Sequence, residues 1–411
     1  MKHYAIESQN FSVKGNWIKH LLKGRNTDLP EFQGKKGLLF STITLEKMIE
    51  EEFLHDDFAL TSDPKRSIRT YSSGEQRKAL LQYLFKQKPD FLVLDNPFDC
   101  LDVESVAALK QQLIEISEQL PLIQLFKRKS DLMPFVTDVL IIEKEKLINS
   151  FTIGEFKKRH LHLESTFLQG SIPAPIKRFS NTPNELVKLQ NVTVHYDGRC
   201  ILNNINWTIN KGEFWHLIGP NGSGKTTLLT MIYGDNPKAF GQDIYIFGNK
   251  KGSGESVWDI KEKIGYFTPS MTERFHSSQT VEQMVISGLV DSVGLYLKPS
   301  DMQRNLAQQW LKVLGLLNKK DERFYKLSQI NQRMVLIARA MIKHPPLLVL
   351  DEPSTGLDDI HASLMVQLIQ KIAEESETAI LYVSHRKEEG LLPQYVYKLN
   401  TNEGGSEGII L

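Results

Sequence analysis

Cysteine is nearly absent: Cys100 and Cys200 are the two thiols among 411 residues, one in each half and without metal-ligand spacing. That argues against a disulfide framework or a thiolate metal site and fits a reducing compartment. Excess charge is missing too, since 50 basic residues against 49 acidic leave a net charge of +1. No overall field draws such a chain onto nucleic acid or an anionic membrane, which argues against a nucleic-acid partner. No apolar run is long enough to cross a bilayer, and Met1–Glu7 lacks the apolar core of a signal peptide. A cytoplasmic protein is expected, peripheral at the inner face of the membrane where a partner holds it there. What is present is ordinary for packed cores: 41% hydrophobic and 24% charged residues, at a length that suits two globular domains.

Two stretches look like poor copies of one another. Tyr71-Ser72-Ser73-Gly74-Glu75-Gln76-Arg77 precedes a helical pattern, then Phe91-Leu92-Val93-Leu94-Asp95-Asn96-Pro97 and Leu101-Asp102. Leu327-Ser328-Gln329-Ile330-Asn331-Gln332-Arg333 precedes another, then Leu347-Leu348-Val349-Leu350-Asp351-Glu352-Pro353 and Leu357-Asp358, in the same order and nearly the same spacing. Internal duplication of this kind decides architecture before any single motif does. Between the copies, Ser171–Asn184 is rich in proline and polar residues, as an extended linker is. The expected division is residues 1–160, a linker over 161–185, and a second domain over 186–411. Short apolar runs at Phe91–Leu94, Val139–Ile142, Leu347–Leu350 and Ile380–Val383 alternate with helical patterns, which predicts buried parallel strands in an α/β fold. The tail after Asn402, with Gly404-Gly405, reads as a turn or a frayed end.

Gly219-Pro220-Asn221-Gly222-Ser223-Gly224-Lys225-Thr226 follows the strand-like run Phe214–Ile218 and matches the pattern of a phosphate-binding loop. Its glycines let backbone N–H groups turn toward phosphate oxygens, and a helix beginning near Lys225 adds its positive dipole end. Lys225 neutralises the β and γ phosphates, the Thr226 hydroxyl suits Mg²⁺, and Thr227 reaches a phosphate oxygen. Asp351, ending an apolar run, projects from a strand edge where a carboxylate holds Mg²⁺. Glu352 is placed to orient and deprotonate an attacking water, and His385, just past Ile380–Val383, to meet the γ-phosphate. Taken singly, Asp351 and Glu352 suit a helix N-terminal acidic pair and His385 a loop histidine. Three such residues ending predicted strands beside a phosphate loop make a nucleotide site.

On these residues the C-terminal half, Leu186–Leu411, resembles an ATP-binding-cassette domain. Lys250–Lys261 and Ser287–Gly294 resemble more narrowly the ModF type, a double-cassette subgroup associated with molybdate transport and also called photorepair-type. The resemblance implies two tandem cassettes of the P-loop NTPase class, ATP and Mg²⁺ as ligands, hydrolysis, and a membrane permease as partner. It also implies that Tyr196 stacks on adenine, and that each phosphate loop is closed by a serine-glycine signature from another cassette, paired within one chain or in a homodimer. The first half keeps a usable signature, Ser72-Ser73-Gly74-Glu75. The second has Ser328-Gln329-Ile330-Asn331, where β-branched Ile330 is expected to obstruct phosphate contact. The nucleotide-holding parts show the reverse loss. Asn96 stands where Glu352 stands, Lys127 where His385 stands, and the place of the phosphate loop falls on residues 9–16 as a ruined remnant in a shortened domain. One complete composite site and one inert one are therefore expected.

The pattern departs from the family after Ile264-Gly265-Tyr266. Where cassettes usually carry a glutamine, the chain has Phe267-Thr268-Pro269-Ser270, and Lys261 and Arg274 nearby read as solvated charges. Three function classes follow: a Mg²⁺-dependent ATPase moving a transport partner, an ATP-dependent regulatory switch, and a double cassette acting on ribosomes or DNA. Near-neutral charge and a linker without long basic helices weigh against the third.

Overall fold

The computed structural model describes all residues except 8–14, 56–57, 62–65, 159–167, 276–277 and 296. The chain divides into two compact units, one of Met1–His162 with Gly356–Ile360, the other of Leu163–Thr355 with His361–Leu411. Each carries its own sheet. The expected remnant at residues 9–16 lies outside the described residues except for Gly15 and Asn16, which open the helix Asn16–Leu22.

In the first unit, β1 (Tyr4–Glu7), β2 (Gly37–Phe40), β3 (Phe91–Asp95), β4 (Leu122–Phe126), β5 (Asp138–Glu143) and β6 (Lys146–Thr152) form a sheet in the order β2-β3-β4-β1-β5-β6. All neighbours pair in parallel except β5 with β6. Phe91–Leu94 and Leu122–Ile123 are fully buried, which is why these strands read as continuous apolar runs rather than alternating ones.

The second unit holds β7 (Glu185–Tyr196), β8 (Arg199–Asn210), β9 (Phe214–Ile218), β10 (Asp243–Ile246), β11 (Asn249–Lys250), β12 (Ile264–Phe267), β13 (Leu347–Asp351), β14 (Ala379–Val383), β15 (Tyr395–Asn402) and β16 (Gly405–Ile410). Their order is β11-β10-β7-β8-β16-β15-β9-β14-β13-β12. Read from its far edge, β12-β13-β14-β9-β15-β16 repeats the order of the first sheet strand for strand. The second sheet adds a wing, in which β7 pairs antiparallel with β8 and β10. Trp207 on β8 stacks on Tyr397 of β15 at 4.2 Å and meets Trp215 of β9 edge-on at 5.5 Å, locking the wing to the strand that feeds the phosphate loop.

Leu347–Leu350 and Ile380–Val383, expected as buried parallel strands, do pair in parallel, within a sheet whose wing is antiparallel. One expectation needs correction. The tail beyond Asn402 turns and then forms β16, hydrogen-bonded between β15 and β8. Sheet pairing on both sides overrides the weak strand propensity of Gly405 and Gly408.

The duplication extends to side chains. Arg77 donates to the carbonyls of Pro97 and Asp99 at 3.0 Å, and Arg333 to those of Pro353 at 2.9 Å and Thr355 at 2.7 Å. Gln76 bonds the Ile68 carbonyl and Gln332 the Phe324 carbonyl, eight residues upstream in each case. Each buried arginine thus ties the helix after a signature to the loop after a carboxylate-bearing strand.

Candidate functional site

Strand β9 delivers Gly219–Gly224 to the helix Lys225–Tyr233, whose N-cap is Gly224. Gly222 and Gly224 take φ of +78° and +90°, a region that disfavours a side chain, and a Cβ on Gly224 would lie 2.5 Å from the Leu202 side chain. The loop conformation therefore requires these glycines. Lys225 Nζ reaches back to the carbonyls of Gly219 at 2.7 Å and Pro220 at 3.0 Å, so its ammonium stands over the loop that would hold phosphate. Asn221, Gly222 and Thr226 are exposed and Thr227 is half-buried, while the buried Ser223 hydroxyl has no hydrogen-bond partner.

Asp351 and Glu352 leave the end of β13, and His385 follows the end of its neighbour β14. Burial, reinforced by the Glu352 charge, pushes the Asp351 carboxyl up to about 6, against the opposing pull of the Tyr266 hydroxyl, 3.4 Å away, and of Lys225. Burial would also raise Glu352. The hydrogen bond and charge of His385, the Thr355 hydroxyl and Lys225 together outweigh it and hold that carboxyl below its usual range. Adjacent carboxylates are thus driven apart in acidity, the pattern that separates a proton acceptor from its neighbour.

Glu352 and His385 are in direct contact, Nδ1 lying 3.0 Å from Oε1, and Thr355 donates to Oε2 at 2.9 Å. His385 Nε2 is buried without a hydrogen-bond partner. Glu352 holds φ of +51° with its N–H bonded to the Val383 carbonyl at 2.8 Å. A left-handed glutamate costs about 1–3 kcal/mol and persists where function or scaffold demands it. Asn96, at the matching place of the first unit, has φ of +42° and bonds Leu125 in the same way. Asparagine tolerates that region better. The turn survives there without its carboxylate, and Lys127 pairs with Asp99 at 3.4 Å in place of a histidine-glutamate contact.

Tyr196 ends β7, about one-third exposed, with Lys238 Nζ 5.7 Å from its ring centroid. The wing that carries it has no counterpart among the described residues of the first unit.

The two signatures differ. Ser72 caps the helix Ser73–Lys86, accepting from Glu75 N at 3.2 Å while the Glu75 carboxylate accepts from Ser72 N at 2.8 Å. A Cβ on Gly74 would meet Ser105 Oγ at 2.5 Å, so glycine there also serves packing within the first unit. Ser328 makes no side-chain cap on its helix, Gln329–Met341, and Asn331 stands in place of Glu75. Ile330 is 5% exposed, a buried packing residue rather than a side chain projecting over the helix start.

Lys225 acts on both Asp351 and Glu352, Glu352 acts on Asp351, and His385 acts on Glu352; the sequence pointed to each of these residues separately. Sequence reasoning missed Tyr266 and Thr355 as partners of the two carboxylates, and Asn236 as the partner of Tyr196. Thr355, three residues after Glu352, was within reach of a turn argument; the other two pairings leave no local trace. Lys261 is not simply solvated, for it pairs with Asp235 at 2.6 Å and lies over the Tyr233 ring. Arg274 is exposed, as expected of a solvated charge, and Ser270, in the region where cassettes usually carry the glutamine, is exposed as well.

The family model described as ABC transporter matches residues 202–355. The chain is 38% identical to the ABC transporter ATP-binding protein ModF of Escherichia coli over 82% of its own length and 71% of that protein's. It is 33% identical to an uncharacterised ABC transporter ATP-binding protein of Schizosaccharomyces pombe, over 79% and 66% of the respective lengths. A solved archaeal complex of the ribosomal stalk protein aP1 and the ribosome recycling factor aABCE1 contains a chain that aligns with 99% of this one and 85% of its own length, at a TM-score of 0.61 and 17% identity, a likeness of fold. The phosphate loop and the strand-end carboxylates Asp351 and Glu352 lie within the residues that the family model matches, and the chain belongs to the ABC transporter ATP-binding protein family, with its P-loop α/β fold.

Proposed function

We propose that this chain is a Mg²⁺-dependent ATPase with one composite nucleotide site: the phosphate loop, Asp351, Glu352 and His385 of residues 186–411, closed by the signature Ser72–Glu75 of residues 1–160, within a chain or between two. Residues 161–185 act as the linker. The observation that carries the reading is the complementary split of working parts. The contact between Glu352 and His385 is answered in the first unit by Asn96 and Lys127, while the Ser72 cap with its Glu75 partner is answered in the second by an uncapped Ser328 and Asn331. Decay at random has no reason to divide the losses this way.

Ser72 suits the role chemically. Its hydroxyl oxygen accepts from Glu75 N and its hydrogen turns toward the Glu75 carboxylate, so a γ-phosphate would take that hydrogen over from Glu75. Glu352, held ionised, serves as the base that orients water, and His385 Nε2 meets the phosphate. Among the described residues no cluster of three or more histidine, cysteine or acidic side chains cages a metal. Mg²⁺ is commonly held by one carboxylate, one hydroxyl and the nucleotide's own phosphates. The raised Asp351 carboxyl is the kind of group a divalent cation would bring back to its ionised form. Asp351 and the Thr226 hydroxyl would hold the ion, which would neutralise charge on the phosphates.

The names of the bacterial and yeast relatives support a transport role, with a membrane permease as the partner that receives the motion. No described helix is long and apolar enough to cross a membrane. Phosphate release from the full chain tests the proposal. Ser72→Arg abolishes turnover as completely as Lys225→Ala, and Ser328→Arg leaves it intact, with thermal unfolding checking that the lost Ser72 cap, about 1 kcal/mol, has not unfolded the first unit. Equal loss at Ser72 and Ser328 overturns the asymmetric arrangement. Copurification identifies the partner: a permease supports transport, and ribosomal proteins replace that part of the reading.

A further inference from the structure

Asn236 follows the helix that begins at the phosphate loop, and only 6% of its surface is exposed. Every polar atom of its side chain is engaged. Its amide nitrogen donates to the Tyr196 hydroxyl at 2.9 Å and to Thr230 Oγ1 at 3.1 Å, and its amide oxygen accepts from Lys238 N at 3.0 Å. Thr230 Oγ1 in turn lies 2.9 Å from the Thr226 carbonyl and 3.0 Å from that of Thr227. A continuous hydrogen-bonded path therefore runs from the ring at the end of β7 to the backbone of the two threonines at the phosphate end.

That path solves a geometric problem. Tyr196 sits on the antiparallel wing and the phosphate loop on the parallel core, so the distance between them depends on how two parts of one sheet are held. A nucleotide spans both ends with a fixed length, and a platform free to drift by an ångström loses much of the benefit of preorganisation. Asn236 fixes the platform to the helix that also carries the loop. The residue that could do this must offer two donors and one acceptor at a buried position, which asparagine does and few side chains of its size can.

We infer that Asn236 is a positioning residue that sets the affinity for the adenosine end of ATP by holding Tyr196 in register with Thr226 and Thr227. The inference rests on the reading of Tyr196 as the adenine platform. It separates two kinds of ligand: ATP, which needs both ends of the site, and inorganic tripolyphosphate, which needs only one.

The experiment is equilibrium titration of the full chain with ATP and with tripolyphosphate. Asn236→Ala is expected to weaken ATP about five- to tenfold, the loss of one or two buried hydrogen bonds, while tripolyphosphate binding changes less than twofold. In steady-state assays KM for ATP rises by a larger factor than kcat falls. Because Asn236 also caps the turn Pro237–Ala239, Tyr196→Phe provides a second route: it keeps the ring and the cap and deletes only the hydroxyl. It should reproduce the Asn236→Ala factor, and the double variant should be no weaker than either single one. Equal weakening of ATP and tripolyphosphate by Asn236→Ala, or additive losses in the double variant, overturns the inference. Tyr196→Ala isolates the underlying reading: if it leaves the ATP-to-tripolyphosphate affinity ratio unchanged, the adenine platform itself is wrong, whereas a fall there with none in Asn236→Ala refutes only the positioning role.

Discussion

Replacing Asp351, the carboxylate proposed to hold Mg²⁺, should make the nucleotide-free protein more stable while destroying its activity. Burial and the neighbouring Glu352 raise the Asp351 carboxyl from 3.8 to about 6. At about 1.36 kcal/mol per unit, that shift corresponds to roughly 3 kcal/mol of penalty for keeping the group ionised in the fold. Because the folded value lies above the unfolded one, stability is lost as pH rises: the penalty is absent below about pH 4, grows between 4 and 6, and is complete above about 6. Asp351→Asn removes the charge at nearly constant volume and keeps an acceptor for the Tyr266 hydroxyl, but it adds an amide that needs a partner, at a cost of about 1 kcal/mol. A net gain of about 2 kcal/mol remains, or a rise of roughly 4–8 °C in Tm for a domain the size of the second unit. Thermal unfolding of full chain in EDTA, at pH 7.5 and again near pH 4.5, measures it. The variant should be the more stable at the higher pH, with little difference at the lower, and inactive with Mg²⁺ and ATP. A variant no more stable than wild type at pH 7.5, or equally advantaged at both pH values, refutes the argument that burial strains this carboxylate.

Three further outcomes follow from the same geometry. Glu352→Gln keeps ATP binding and lowers phosphate release by at least about a hundredfold, the usual contribution of a positioned base; near-normal turnover would remove Glu352 from the chemistry. His385→Ala deletes the contact that holds the Glu352 carboxyl down, so the acid limb of the kcat against pH profile of its residual turnover moves to higher pH, and an unmoved limb counts against the pairing. Arg77→Met and Arg333→Met each leave two loop carbonyls without their partner, and each lowers stability by about 3 kcal/mol by chemical denaturation, although only one of them lies in a unit with a phosphate loop; a loss confined to Arg333 would break the equivalence of the two frameworks.

Much of the site could be read from the chain because its parts are contiguous. Gly219–Thr226 carries its own signature, and Asp351 and His385 announce themselves by ending apolar runs that are buried strands. The same logic finds the repeat, since Arg77 and Arg333 stand at equal offsets from their strands. What escaped depends on residues that meet only after folding. Asn236 lies 40 positions from Tyr196 and Tyr266 lies 85 from Asp351, so no window of sequence contains either pair. The antiparallel wing escaped because β7 and β8 are interrupted by register shifts that blur their alternation. β16 escaped because Gly405 and Gly408 argue locally for a turn.

The two units also separate scaffold from chemistry within one chain. The left-handed turn after β3 persists at Asn96, with its N–H bonded across to β4, although no carboxylate remains there to exploit it. The arginine tie, the glutamine eight residues from its carbonyl and the six-strand order persist likewise. These features are therefore the requirements of folding, and their presence beside Glu352 says nothing about catalysis. What distinguishes the second unit is what the first has lost: the glutamate facing a histidine with an orphaned Nε2, and the wing that carries an aromatic ring at a distance fixed by Asn236. Function in this chain is best sought in the differences between the copies, because the similarities are already accounted for by the need to bury the same sheet.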